Sequence, residues 1–354
     1  MRNERRSRPA AAIAIAALAV ALSACGSGQP SAGPDQLPAI SRLTKVHDYP
    51  MYLLDYQGDY RLEERLRVGD ARAPVSRVPG TTAWACTAFA AFGDAMHPLV
   101  GRGFDWRDHA AILLRTDPSD GYASTSMVDP AYMGFGTEDI TRLPASARQP
   151  LLEAPFLPFD GLNEHGLAMA LLAVPEARAP YVAGRPTLGP LLLIRLVLDR
   201  SRTVSEALSL LAGHNLQVGE PPVHFFLADA TGQAAVVEYV DGDIVVTPND
   251  RPWLAVTNFV VAGTSPEMRL SLCGRYRAAS ESLAGCGGRM AAPEALALLS
   301  AVSQASTMWS VVYELSRGGV TVAAGRDFSR PVVWSLTAPW PTGLIDLTGL
   351  VPGA

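Results

Sequence analysis

Short apolar runs and alternating apolar and polar positions recur along the chain, and they predict many strands and a few helices. The predicted strands are Tyr49–Tyr60, Trp84–Phe92, Leu99–Trp106, Ala110–Arg115, Leu167–Val174, His224–Ala228, Ala234–Val240, Ile244–Thr247, Leu254–Thr257, Ser310–Leu315, Gly319–Ala324 and Val332–Leu336. Helical spacing covers Arg61–Arg67, Leu191–Arg202, Tyr276–Leu283 and Pro293–Val302. Helices placed among so many hairpins favour an α+β fold in which helices cover sheets.

Local signals refine this division. Thr203 and Glu206 have the spacing of a capping box, which predicts a further helix through Ala212. Prolines and a glycine interrupt Ala71–Thr82, where we expect a boundary. Ser119–Pro155 is rich in turn residues and predicts a loop region that could cover a site.

Composition excludes several classes of protein. The 354 residues are 48% hydrophobic and 18% charged, which is typical of a globular chain and not of a disordered one. The net charge of −5, with no basic cluster beyond the extreme N-terminus, excludes a nucleic-acid partner.

The N-terminus has the features of an export signal. Four arginines precede the apolar run Ala10–Leu22, which is shorter than the roughly 20 residues of a membrane span. The following Leu22-Ser23-Ala24-Cys25 resembles a bacterial lipobox, which implies cleavage after residue 24 and lipid attachment to Cys25. We therefore expect a lipoprotein signal peptide over residues 1–24 and a protein anchored to the extracytoplasmic face of the cell membrane. The alternative is an ordinary secretory signal in which Cys25 is incidental.

Three further cysteines lie beyond Cys25. Cys273 and Cys286 flank a predicted helix, and a helix of about ten residues spans about 15 Å, beyond the roughly 7 Å that a disulfide tolerates between Cα atoms. Their pairing therefore stays open. Cys86 remains as an unpartnered thiol in an apolar run, which by itself is typical of a small buried hydrophobe.

Motifs around Cys86 give it a different interpretation. Cys86-Thr87-Ala88-Phe89 is followed by Gly101-Arg102-Gly103-Phe104-Asp105-Trp106, Asp160-Gly161-Leu162-Asn163-Glu164-His165-Gly166-Leu167, Thr257-Asn258 and Gly274-Arg275-Tyr276. These motifs, in this order, resemble the choloylglycine hydrolase and penicillin V acylase family of linear amide C–N hydrolases in the N-terminal-nucleophile (Ntn) superfamily. The resemblance implies a four-layer αββα sandwich of two antiparallel sheets.

The resemblance also implies maturation by self-cleavage of the Ala85–Cys86 bond. Residues 25–85 would then form a lipid-anchored tether and propeptide, and residues 86–354 the catalytic domain. The freed α-amine, with a reference pKa of about 7.7–8.0, could serve as the base for the Cys86 thiol, so that no catalytic histidine is required. The expected reaction is hydrolysis of a small N-acylated molecule through an acyl-enzyme.

Four more residues receive roles from the resemblance. Arg102 would lie beside the thiol and favour the thiolate. Asp105 would hold the new α-amine, and its spacing from Arg102 implies a bend near Gly103. Asn258 would contact the amine and the tetrahedral intermediate, and Arg275 would complete the polar network.

One position departs from the family pattern. Ala173 occupies the place of an asparagine that donates to the oxyanion in many bile-salt hydrolases and penicillin acylases. Loss of one such donor can cost about 10²–10³ in rate, unless a backbone N–H or Asn163 replaces it. Bile-salt hydrolysis in particular therefore loses support.

Other functions remain open at this point. His165 or His224 could pair with Cys86 as in papain-like enzymes, although a turn residue and a satisfied strand residue are the simpler interpretations. The histidine and cysteine spacing predicts no metal, and the chain has no glycine-rich phosphate loop, so we expect no cofactor. The main alternative is a non-catalytic binding lipoprotein on the same fold. A third possibility is an uncleaved chain with a structural Cys86.

Overall fold

The computed structural model describes residues 40–68, 85–106 and 110–337. The predicted signal peptide, Cys25 and the boundary at residues 71–82 lie outside the described residues. None of the described helices combines the length and apolar character needed to cross a membrane.

The described strands form two large sheets and one short parallel pair. The strands are β1 (Ile40–His47), β2 (Met51–Gln57), β3 (Ala85–Ala91), β4 (Leu99–Asp105), β5 (Ala111–Asp117), β6 (Ser124–Val128), β7 (Pro158–Asn163), β8 (Ala168–Ala173), β9 (Thr187–Leu188), β10 (Asn215–Leu216), β11 (Val223–Ala228), β12 (Ala234–Val240), β13 (Asp243–Pro248), β14 (Trp253–Val256), β15 (Thr307–Glu314), β16 (Gly319–Ala324) and β17 (Val332–Ser335). The larger sheet has nine strands in the order β1-β2-β5-β6-β7-β8-β11-β12-β13. The smaller sheet has six, in the order β14-β3-β4-β15-β16-β17.

Helices cover the outer faces of both sheets. They are α1 (Leu62–Val68), α2 (Ala145–Arg148), α3 (Pro190–Arg200), α4 (Val204–Ala212), α5 (Pro266–Leu272), α6 (Gly274–Gly285) and α7 (Ala292–Ala301). α3 packs on β7 and β8, and α4 packs on α3. α6 packs on β3 and β14, α7 packs on β4 and β15, and β3 contacts β8 across the interface between the sheets. The predicted αββα layering is confirmed.

The larger sheet departs from the prediction of purely antiparallel pairing. β2 runs parallel to β5, in register from Met51 opposite Ala111 to Gln57 opposite Asp117. The pair arises because the β1–β2 hairpin, which precedes Cys86 in the chain, docks on the edge that β5 presents. Every other neighbouring pair in the two large sheets is antiparallel.

Local chemistry explains where several helices begin. α3 has Pro190 at its first position, where a missing backbone N–H costs no hydrogen bond. Thr203 caps α4 by accepting from the Glu206 amide at 3.2 Å, as predicted. The Glu206 carboxylate returns to the amide of Arg202, at 2.7 Å, and so satisfies the residue just before the cap.

The loop predicted over Ser119–Pro155 is only partly correct. Ser124–Val128 is β6, which lies inside the larger sheet between β5 and β7. The sequence pattern did not predict this strand because three of its five residues are polar, whereas a buried strand is recognised in a sequence as an apolar run. Three short 3-10 helices, Pro130–Met133, Ile140–Arg142 and Gln149–Phe156, and α2 lie in the remaining segment, and turns and loops connect them.

Candidate active site

Cys86 lies near the start of β3, inside the smaller sheet, and its side chain is fully buried. It is paired with Phe104 on β4, and two residues further along Ala88 is paired with Arg102. Directly paired residues share a face of the sheet, as do residues two apart on one strand. The side chains of Cys86 and Arg102 therefore lie on the same face, which faces the larger sheet.

Asn258, just after β14, links the two sheets at Cys86. Its side-chain oxygen accepts a hydrogen bond from the Cys86 backbone N–H at 2.5 Å. Its Nδ2 donates to the carbonyl oxygen of Ala173, at the end of β8, at 2.8 Å. The amide of Asn258 is thus held from both sides, with its oxygen toward Cys86.

Arg275 is the second residue of α6 and contacts the same part of β3. Its guanidinium donates to the Cys86 carbonyl oxygen, to Thr87 Oγ1 at 3.0 Å and to Asn258 Oδ1 at 2.9 Å. Both the N–H and the C=O of Cys86 are therefore bound by side chains that are distant in sequence.

Asp105 ends β4 opposite Ala85, the residue before Cys86. Thr307 donates to one carboxylate oxygen, and Arg275 Nη1 lies 3.9 Å from the other. Burial raises the pKa of Asp105 above its ordinary value, although the Thr307 hydrogen bond and the charges of two arginines oppose that rise. Asp105 therefore belongs to the same cluster as Arg275.

Arg102 is fully buried and points away from that cluster. It donates to the carbonyl oxygens of Gly103 and, at 2.8 Å, of Leu171, and its Nε lies 3.7 Å from Asp160 Oδ2. Asp160 also accepts hydrogen bonds from Tyr313, at 2.6 Å, and from Trp309, at 3.1 Å. Arg102 thus belongs to a buried polar network between the two sheets.

The bend predicted near Gly103 is absent from the pairing of β3 with β4, whose register is continuous there. The irregularity lies on the other side of β4, between Thr307 and Trp309 of β15. A regular strand places residues three apart on opposite faces. Arg102 and Asp105 accordingly contact different layers of the molecule.

Several polar residues of this region were not among the predicted site residues. Thr87 and Thr307 bind Arg275 and Asp105, and Asp160 pairs with Arg102. Asp160 was visible only as part of a motif, while single threonines in strands carry no signal of function. The structure also excludes Asn163 as a replacement oxyanion donor, because its Nδ2 donates to the carbonyl oxygens of Leu198 and Ser201.

His165 and His224, the two alternative bases for Cys86, have other contacts. The ring of His224 lies between Glu238 and the Thr257 carbonyl oxygen. The ring of His165 packs edge-on against Tyr122, with centroids 4.3 Å apart. Cys273 and Cys286 are free thiols at the two ends of α6. Among the described residues, no group of three or more His, Cys, Asp and Glu side chains could hold a metal ion.

Part of the chain is similar to known proteins. Residues 86–257 match the family model described as linear amide C–N hydrolases, choloylglycine hydrolase family. A penicillin V acylase of Pectobacterium atrosepticum is 28% identical over 179 residues, which cover 46% of this chain and 46% of that protein. The match thus spans about half the length of that relative.

Two solved structures are also similar in fold. Penicillin V acylase from Agrobacterium tumefaciens superposes with a TM-score of 0.48 at 18% identity, over 70% of this chain and 84% of that one. A variant of conjugated bile acid hydrolase from Clostridium perfringens gives 0.48 at 15% identity, over 71% and 92%. The family model and the motifs agree, and residues 86–257 are similar to the choloylglycine hydrolase family of linear amide C–N hydrolases, the resemblance that the sequence predicted.

Proposed function

We propose that this protein is a cysteine amidohydrolase that cleaves the linear amide bond of a small N-acylated molecule. The observation that carries the proposal is the binding of the Cys86 backbone, whose nitrogen is bound by Asn258 and whose carbonyl oxygen is bound by Arg275. These are the contacts that would keep the α-amine of Cys86 in place after the Ala85–Cys86 bond is cut.

The proposed maturation uses the groups already at that bond. The Cys86 thiol adds to the Ala85 carbonyl carbon, the C–N bond breaks, and the nitrogen leaves as the protonated α-amine. Water then hydrolyses the thioester, giving a carboxylate on Ala85 and a free thiol. Asp105, opposite Ala85, would provide a negative charge close to the new amine.

The same groups would act in turnover. The α-amine takes the thiol proton, the thiolate attacks the substrate carbonyl, and the amine proton is passed to the departing nitrogen. Water then hydrolyses the acyl-enzyme. Arg102, on the same face as the Cys86 side chain, would favour the thiolate by its positive charge.

The oxyanion would need donors other than position 173. At position 173 the backbone carbonyl oxygen accepts one hydrogen of Asn258 Nδ2. We assign the second hydrogen of Nδ2 to the oxyanion. The similar enzymes are by name a penicillin V acylase and a conjugated bile acid hydrolase, and the departure at Ala173 favours a substrate of the acylated amine, amino acid or penicillin type over bile-salt conjugates.

We further propose that the protein is exported and lipid-anchored through Cys25, and that cleavage does not release the catalytic part. Residues 40–57 form β1 and β2 of the larger sheet, and Tyr60 donates to the buried Asp199 of α3. The membrane-attached segment would therefore remain bound after the chain is cut.

A non-catalytic binding protein on the same fold is the second candidate function. It is favoured by the complete burial of Cys86 and by Ala173 in place of an oxyanion donor. This candidate predicts ligand binding without release of an amine.

The decisive experiment is intact mass measurement and N-terminal sequencing of the purified full chain, combined with amine release from penicillin V and N-acyl amino acids. We expect a chain that begins at Cys86, bound to a fragment that ends at Ala85, together with amine release. Cys86→Ala should abolish both, whereas Cys286→Ala, the matched control at the end of α6, should change neither. An uncleaved wild-type chain without amine release would contradict the proposal, and ligand binding without turnover would support the second candidate.

A further inference from the structure

A buried histidine–glutamate pair lies beside the loop that carries Asn258. His224 is on β11 and Glu238 is on β12. The two strands pair Phe225 with Val237, and the same register one residue further along places His224 opposite Glu238. Their side chains are 1% and 2% exposed. His224 Nδ1 lies 3.1 Å from Glu238 Oε1, and Nε2 lies 3.0 Å from the Thr257 carbonyl oxygen.

Both ring nitrogens of His224 face acceptors. A carbonyl oxygen only accepts hydrogen bonds, and Glu238 also accepts from the backbone N–H groups of Val261, at 2.8 Å, and Ala262, at 2.6 Å. Burial raises the pKa of Glu238, but the hydrogen bonds from His224 and the two amides outweigh burial and keep it below its ordinary value. A carboxylate on one side and a carbonyl on the other thus place an acceptor opposite each ring nitrogen of His224.

The pair binds the Asn258 loop on both sides of Asn258. His224 binds the carbonyl of the preceding residue, Thr257, and Glu238 binds the amides of Val261 and Ala262. His224 and Glu238 both belong to the larger sheet, whereas the side chain of Asn258 reaches Cys86 in the smaller sheet. Residues of the larger sheet therefore hold the loop in place, while its Asn258 side chain binds Cys86 in the smaller sheet.

We propose that His224 and Glu238 are positioning residues that orient Asn258 toward the nitrogen of Cys86. This inference rests on the proposed function, and it assigns no proton transfer to His224. Stability alone does not account for the contact, because a buried polar or ionic pair contributes little more than well-packed apolar residues of similar size. A fixed Asn258, by contrast, affects both the self-cleavage and the placement of the resulting amine.

The surroundings of the loop contain few other charged groups. Arg269, on α5, donates to the carbonyl oxygens of Val261, at 3.1 Å, and Thr264, at 2.8 Å. Arg275 contacts Asn258 itself, and Cys273 precedes α6. β8, on the other side of β11, contributes Leu172 opposite His224, which carries no charge. A pH effect transmitted through the loop must therefore involve these groups or the Cys86 amine.

The test compares His224→Gln and Glu238→Gln with the wild type and with His214→Gln. His214 is the matched control, since its Nδ1 lies 2.8 Å from the Leu210 carbonyl oxygen, at the end of α4 and far along the chain from the loop. We expect the rate of self-cleavage and kcat to fall about 10- to 100-fold in the first two variants, because small displacements of catalytic groups have effects of that size. KM should change less than about twofold, and the control should be unchanged.

Two readouts separate positioning from a merely structural role. Asn258 Oδ1 favours the protonated form of the Cys86 amine, so its displacement should move the acidic limb of the kcat/KM profile to lower pH. In an Asn258→Ser background, His224→Gln should then have little further effect on the residual rate.

Three results would overturn the inference. The first is a lower unfolding temperature in both variants with kcat and the acidic limb of the pH profile unchanged. The second is that the rate losses of His224→Gln and Asn258→Ser multiply in the double variant, and the third is that His214→Gln loses as much activity as the two variants. Glu238→Gln carries the test if His224→Gln does not fold. A wild type without Cys86-dependent cleavage would instead refute the proposed function, which the Cys86→Ala control detects in the same experiment.

Discussion

Two completely buried arginines, Arg102 and Arg195, serve different parts of this molecule. Arg102 lies between the two sheets with Asp160, on the same face as the side chain of Cys86. Arg195 is on α3 and its side chain points to the larger sheet. Its Nη2 lies 2.5 Å from Oδ1 of Asp199, one turn further along the same helix. Each arginine therefore has a buried acidic partner, and their burial and pairing do not distinguish them.

Their surroundings do distinguish them. Arg195 donates to the hydroxyls of Thr116 and Ser124, and its partner Asp199 accepts from Tyr60, which precedes Cys86 in the chain. This network joins the N-terminal segment to the body. Asp160 instead accepts from Tyr313 and Trp309 of β15, a strand of the smaller sheet. We therefore expect a buried arginine to influence the proposed reaction only through its position relative to Cys86.

The largest effect is expected for Arg102→Met. It leaves Asp160 as a buried acid without its cation, which typically costs about 3–5 kcal/mol of folding free energy, and it removes the positive charge on the Cys86 face. Urea unfolding should show the loss of stability, and alkylation of Cys86 by iodoacetamide should become slower. The double variant Arg102→Met/Asp160→Asn should recover much of the stability but not the alkylation rate. Recovery of both would make Arg102 purely structural.

Arg195→Met should destabilise the protein by a similar amount, about 3–5 kcal/mol, because Asp199 loses its cation. It should also weaken the attachment of the N-terminal segment after the proposed cleavage, since Asp199 is the acceptor for Tyr60. Size-exclusion chromatography of the cleaved protein should reveal loss of that segment, while amine release per folded molecule stays at the wild-type value. A lower kcat with the segment still bound would remove the distinction between the two arginines.

Asp129 provides a third buried acid, this time without an arginine. One of its oxygens accepts from the Ala131 amide at 2.8 Å, and burial raises its pKa to about 7. The folded state then binds a proton more tightly than the unfolded state, so stability falls as the pH rises from the ordinary value of 3.8 towards 7. Asp129→Asn keeps the cap and should raise the free energy of unfolding above pH 7, by at most about 4 kcal/mol, with little change near pH 4.

A matched control for Asp129 exists in the next 3-10 helix. Asp139 caps Ile140–Arg142 in the same way, but it is more exposed, and the hydrogen bond from Thr141 helps to lower its pKa. Asp139→Asn should therefore lower stability at neutral pH, the opposite sign. Thermal unfolding of both variants between pH 4 and 8 measures the two slopes. Equal signs for the two substitutions would contradict the assignment of Asp129.

The sequence was sufficient for much of the fold and for the composition of the site. Alternation and turn residues predicted most strands, and a capping box predicted α4 correctly. The motifs identified Cys86, Asn258, Arg275 and Asp105, which the structure brings into one cluster. β6 was missed because its polar residues are buried by neighbouring strands, and α5 because it is short and follows a loop.

The sequence alone determined residue types, local periodicity and the order of the motifs, because each depends on neighbours along the chain. Only the tertiary structure decided which side chains meet. Asn258 reaches Cys86 and Ala173 because two sheets pack face to face, and Arg102 pairs with Asp160 and not with Asp105 because a regular β4 places residues three apart on opposite faces. The packing of sheets joins distant segments, and no local pattern encodes which partner a buried charge will find.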